Sequence, residues 1–295
     1  TITLQAGGAP SLTINPPQVL VSLGGSVSLM DGVTSTDPEE GNITGRITTS
    51  GSVDTTTQGV YHITYSVIDN DLNTATGVRT YIVGNNPVVG ATHVLFAENF
   101  TVHVDAVDVD PDNIKSEANA HAYKLSTGVE TAVSVISTGG YQAVVGPYTV
   151  QFAVTDELTT TKAVIASVYA FGDPSGIEIV EAQDVTMRKS LAAGIPLKTL
   201  VGAKAWNKNT GLTVGTTATA TPIYTGAVGT YATTVKTTTA LATTKAVTVN
   251  ITAGDKPVLV DTTPVVDVLL DSSAPTIRAN MTASDTEDGV ITSSI

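Results

Sequence analysis

A hairpin written three times restricts this chain more than any other feature. Gly59-Val60-Tyr61-His62-Ile63-Thr64-Tyr65-Ser66-Val67, Gly146-Pro147-Tyr148-Thr149-Val150-Gln151-Phe152-Ala153-Val154 and Gly229-Thr230-Tyr231-Ala232-Thr233-Thr234-Val235 each open on Gly-x-Tyr and continue in alternation. Alternation with period two places every second side chain on one face, so each segment reads as a strand with one side in a core. Two of the three run on to an aspartate that opens a turn, Asp69 and Asp156. A second strand follows each one, over 77–83, 162–169 and 245–252. Glycine and proline then punctuate the chain at Gly84-Asn85-Asn86-Pro87, Gly172-Asp173-Pro174 and Gly254-Asp255-Lys256-Pro257. Proline cannot donate to a ladder and restricts the residue before it, so these are short, stiff linkers.

The linker prolines Pro87, Pro174 and Pro257 stand 87 and 83 residues apart, the length of one small β-sandwich. The second and third repeats also align without a gap at an offset of 83. Ile114-Lys115-Ser116, Ala120-His121-Ala122-Tyr123 and Thr127-Gly128 fall on Leu197-Lys198-Thr199, Ala203-Lys204-Ala205-Trp206 and Thr210-Gly211. At the ends, 1–7 matches the strand before Pro257, and 284–292 matches 36–44. The expected organisation is three whole modules at 11–86, 87–172 and 173–254. The last strand of a preceding module at 1–10 and the first half of a fourth at 255–295 flank them. Beginning at Thr1 and stopping inside a module, the chain reads as a window on a longer parent.

Composition agrees with strands. Threonine and valine abound, and both are stiff at χ1 and suited to a pleated surface. The net charge of −13 repels phosphate backbones and anionic headgroups, which argues against nucleic acid and membrane partners. Without cysteine, each module depends on its core, on metal or on assembly. No apolar run reaches the length of a membrane span.

Gly24-Gly25-Ser26-Val27-Ser28-Leu29, Asp37-Pro38-Glu39-Glu40-Gly41-Asn42-Ile43-Thr44 and the first Gly-x-Tyr strand succeed one another. In that order they resemble the bacterial immunoglobulin-like repeats of surface proteins, including the type noted in pesticidal crystal proteins. The resemblance covers the first module and the start of the fourth. The second and third keep only the hairpin. It implies an all-β chain of tandem seven-stranded sandwiches at the cell surface or outside the cell, with no catalytic residue. The implied roles are a structural unit of a surface layer, filament or stalk, an adhesin gripping a carbohydrate or receptor, or a virion fibre. Copies of itself or other surface proteins are the implied partners.

Candidate sites are few. Asp105, Asp108, Asp110 and Asp112 crowd one short stretch that could supply the oxygens calcium needs, although a solvated turn uses the same residues. Asp37, Glu39 and Glu40 form a second cluster, and Asp285, Glu287 and Asp288 a third. None fits the EF-hand loop. Tyr123 and Trp206 read as core aromatics of a third strand, with a glycan platform as the alternative. His62, His93, His103 and His121 lack metal-ligand spacing, and His62 and His103 fall on outward positions. No nucleophile elbow, cysteine nucleophile or phosphate loop is present, which argues against an enzyme. Asn42, Asn99, Asn250 and Asn280 open Asn-x-Thr sequons, a frequent pattern in so threonine-rich a chain.

Overall fold

The computed structural model describes residues 7–254, 258–261, 281–285 and 289–290. The strand expected before Gly7 and the acidic residues Glu287 and Asp288 lie outside the described residues. The chain divides into two compact units, one of residues 1–170 with 206–212, the other of 171–205 with 213–295.

In the first unit β1 (Ser11–Ile14), β2 (Gln18–Val21), β3 (Val33–Asp37), β4 (Gly41–Asn42), β5 (Thr48–Ser50), β6 (Gly59–Ile68) and β7 (Thr74–Val83) make a sandwich. One sheet has the order β1-β3-β4 and the other β2-β7-β6-β5. Because β1 and β2 sit in different sheets, the chain crosses the sandwich at Asn15-Pro16-Pro17, where proline removes ladder donors. Between the sheets lie Val21, Val33, Ile63, Tyr65, Tyr81 and Val83. All four hairpin residues among them are odd-numbered, as the alternation requires.

A second sandwich follows: β8 (Val88–Val89), β9 (His93–Phe96), β10 (Phe100–His103), helix α1 (Pro111–Glu117), β11 (His121–Lys124), β12 (Glu130–Thr131), β13 (Val133–Ser137), β14 (Gly146–Val154) and β15 (Glu157–Tyr169). Its sheets run β12-β11-β9-β8 and β10-β15-β14-β13. Leu95, Ile114, Val150, Phe152, Val164 and Val168 are among the residues that fill it.

The second unit holds β16 (Glu178–Glu181), β17 (Val185–Arg188), the single-turn helices α2 (Lys189–Ala192) and α3 (Leu197–Leu200), β18 (Lys204–Asn207), β19 (Thr216–Thr221), β20 (Gly229–Thr237) and β21 (Thr244–Thr252). The last residues of β18 belong with the first unit. A four-stranded sheet runs β17-β21-β20-β19, and β16 pairs with β18. Beyond it, β22 (Val258–Asp261), β23 (Met281–Asp285) and β24 (Gly289–Val290) form a three-stranded sheet.

Three sheets therefore share one plan: a short strand parallel to the second arm of a long hairpin, then the first arm, then an antiparallel edge. The Gly-x-Tyr motif has a common geometric cause. Tyr61, Tyr148 and Tyr231 donate their hydroxyls to the carbonyls of Thr57, Val144 and Ala227, each four residues upstream, at 2.7–2.8 Å. This is the tyrosine corner of immunoglobulin-like folds. The glycine two residues before the tyrosine turns the chain, with φ of 154° at Gly146 and 153° at Gly229, values that a side chain resists.

One element departs from the sequence reading. Residues 111–117 are helical where a loop of aspartates was expected. Asp110 accepts from the Asp112 amide as N-cap and Pro111 occupies the first helical position, so the residues that resemble a cation loop start a helix.

Candidate functional site

The aspartates of that stretch are each engaged. Asp108 accepts from the Asp110 amide at 2.9 Å and from Asn113 Nδ2 at 2.7 Å. Asp112 pairs with Lys115 at 2.6 Å, and Asp105 lies 3.3 Å from His103. In the first sandwich Asp37 is buried and accepts from the amides of Glu39 and Glu40, while Glu40 accepts from the Asn70 amide and pairs with Arg46. Among the described residues, no three His, Asp or Glu side chains are placed to share a metal ion.

The histidines also serve structure. His103 donates to the Ala170 carbonyl at 3.2 Å, and His121 lies 2.6 Å from Glu130. Buried His93 stands against Glu157, whose carboxylate also receives the amides of Ala91, Thr92 and His93. Burial pushes the Glu157 carboxyl up, but these donors and the Thr92 hydroxyl outweigh it and hold it at about 2. The Asn99 sequon is occupied structurally, its side chain accepting from the Ile165 amide and donating to the Asn209 carbonyl.

A cavity of about 470 Å³ opens beside β2, lined in part by Val19, Val21, Val27, Arg79 and Tyr81. Arg79 is 1% exposed. It donates to the carbonyls of Pro16 and Leu29, and its Nη2 has no hydrogen-bond partner.

The site that sequence reasoning missed lies between the first two sandwiches. Val60 and Ile82 are even-numbered hairpin residues that face away from their own core, yet both are buried. They form a separate apolar cluster with Val94 and Phe96, joined by Tyr123 and Leu125. Strand β9 is buried on both faces for this reason: Leu95 enters the core of the second sandwich, while Val94 and Phe96 meet the first. Tyr123 stands edge-on to Phe96 at 6.0 Å, and outward-facing His62 donates to the Leu125 carbonyl at 2.8 Å. Tyr123 is thus half-buried in a joint and not in the core of its own sandwich. His62 is half-buried there rather than fully solvent-exposed. A signal was present in the sequence: valine and isoleucine on the outward face of a strand whose inward face is already apolar.

Trp206, aligned with Tyr123, behaves alike within the same unit. It is buried and donates to Ser167 Oγ at 3.1 Å. In the hairpin ladders Pro147 pairs with Ser167 just as Val60 pairs with Ile82, each pair beside the Gly-x-Tyr glycine. Gly128 and Gly211 close the turns after the two aromatics, both at φ 70°.

No curated protein matches the chain. Among solved structures, the CBM51-2 and INT domains of Clostridium perfringens ZmpB are 37% identical over 22% of this chain and 14% of that one, with TM-score 0.21. A Bacteroides thetaiotaomicron lipoprotein is 14% identical over 77% of this chain and 92% of its own, with TM-score 0.25. Domains 1–6 of the surface layer protein SbsC are 15% identical over 85% and 41%, with TM-score 0.18. The matched part spans 14% and 30% of the two ZmpB chains that it resembles. Residues 14–83 match the family described as bacterial surface protein, Ig-like domain, and the first sandwich is a bacterial surface immunoglobulin-like domain.

Proposed function

We propose that the chain is a structural, non-catalytic segment of a bacterial extracellular assembly, a surface layer, filament or stalk. The observation that carries this reading is the recurrence of one four-stranded sheet plan three times along a single chain. The boundaries proposed for the repeats are 11–86, 87–172 and 173–254. A spacer needs repetition and stiffness rather than a cleft, and the polar clusters here are spent on caps, corners and loop ties. The partners in this reading are copies of the chain or other surface proteins. No helix among the described residues is long and apolar enough to cross a membrane.

Electron microscopy of the native cell surface tests the proposal. An ordered lattice or filament containing this protein is expected, and a dispersed protein that turns over a substrate would overturn it. The adhesin reading has one observation in its favour, the unmet Arg79 Nη2 beside the 470 Å³ cavity. Glycan-array binding that is lost on filling the cavity with Val27→Phe would make it the better account.

A further inference from the structure

The joint has the anatomy of an interaction surface. Outside the assembled pair, Val60 and Ile82 would be an apolar patch on the back of a hairpin, and Val94, Phe96 and Tyr123 a second patch on the neighbouring sheet. Val60, Ile82, Val94 and Phe96 are all buried, so undocking would return their apolar surface to water. The tether between the two faces is short, which keeps their effective concentration high. It is also tied down: Lys162 of β15 donates to the Asn86 carbonyl, and Gly84 leaves no room for a side chain because a Cβ would lie 2.3 Å from the Phe96 ring. The turn that bears the aromatic is fitted as closely. At Gly128 a Cβ would come within 2.5 Å of the Val60 carbonyl oxygen.

We propose that the back of the first hairpin is a docking surface for the following sandwich, locked by Tyr123, so that the first two sandwiches open and unfold as one body. The proposal rests on the structural reading above and assigns it a mechanical unit. Its occupant is on the page, the turn from Tyr123 to Gly128. Trp206 to Gly211 is the same turn, seated on the equivalent Ser167 position of the second hairpin. The third hairpin lacks such a seat. Its equivalent pair is Thr230 and Asn250, polar residues bonded to each other at 2.6 Å, so no aromatic lock is expected there.

Hydrogen–deuterium exchange of the full chain, followed by mass spectrometry across a urea series, tests this. The wild type is expected to show one shared midpoint for the first two sandwiches. Tyr123→Ser is expected to separate the midpoints and to raise exchange over 82–89 by on the order of tenfold or more, whereas Tyr123→Phe keeps them together. Should Tyr123→Ser fail to fold, Val60→Thr weakens the same surface from the other side. Separate midpoints in the wild type overturn the lock, as does a shared midpoint that Tyr123→Ser or Val60→Thr leaves unchanged. Either failure leaves the structural role standing, because that is decided by imaging the native surface.

Discussion

The Trp206 indole N–H donates to Ser167 Oγ across 3.1 Å, at the ladder position that Ile82 holds in the first hairpin. Both partners are buried, so no water replaces either one. Ser167→Ala leaves the indole N–H without an acceptor and is expected to destabilise the protein by about 1–3 kcal/mol, the usual cost of an orphaned buried donor. Urea denaturation followed by tryptophan fluorescence reads this directly, because Trp206 is the single tryptophan. A neutral result would mean that the bond contributes nothing.

Gly128 separates two costs that are usually confounded. Gly128→Ala meets both a φ of 70° and the Val60 carbonyl, whereas Gly140→Ala meets a φ of 78° with nothing within 4 Å. The strained backbone alone costs roughly 1 kcal/mol. The Gly128 variant is therefore expected to lose clearly more stability than the Gly140 variant. Equal losses would show that the turn yields easily and that the close approach is not needed.

Glu157 gives the second sandwich an acid-sensitive tie. Its folded pKa, about 2, lies below the ordinary value of 4.5, so folding favours the carboxylate. The stability it contributes is complete above about pH 4.5 and is lost as pH falls through 2. Glu157→Gln should flatten the melting-temperature profile in that window, with the largest difference from wild type at neutral pH. Parallel profiles would show that the loop 91–93 does not depend on the charge.

The aspartate stretch can be decided by metal removal. Among the described residues no three of these carboxylates converge on a common point, so we expect EDTA to leave the melting temperature unchanged. Asp110→Ala, which removes the N-cap, is expected to cost about 1 kcal/mol. A fall in melting temperature with EDTA that calcium restores would return Asp105, Asp108, Asp110 and Asp112 to the calcium reading.

The hairpins were legible because Ile63, Tyr65 and Val67 alternate with polar residues, and alternation encodes a face directly. The joint was not legible, because burial of Val60 and Ile82 depends on a neighbour more than ten residues further along that no local period can announce. The continuous apolar run Val94-Leu95-Phe96 was its trace: a strand buried on both faces needs a layer on each side. Helix α1 was legible in principle, since Asp110-Pro111 carries both an N-cap and an N1 signal. Four aspartates in one stretch drew the reading to a solvated turn or a cation loop instead of a helix start.

The three tyrosine corners supply the most general test. Tyr61, Tyr148 and Tyr231 keep their ring packing when changed to phenylalanine, so each substitution removes one hydroxyl and its bond to the upstream carbonyl, and at Tyr231 also a longer contact with the Thr225 hydroxyl. The carbonyl left behind can turn to water, which limits the expected cost to about 0.5–1.5 kcal/mol per corner. The effect should be local as well as small. The corner ties the approach of β6, β14 or β20 to its own strand, so amide exchange is expected to rise at 57–59, 144–146 or 225–229 and not in the other two repeats. Tyr148 and Tyr231 also meet Tyr141 and Tyr224 edge-on, at 5.9 and 5.2 Å, contacts that phenylalanine preserves. If all three variants were as stable as wild type with unchanged exchange, the hydroxyls would be idle. The Gly-x-Tyr motif would then be kept for its ring and its glycine alone.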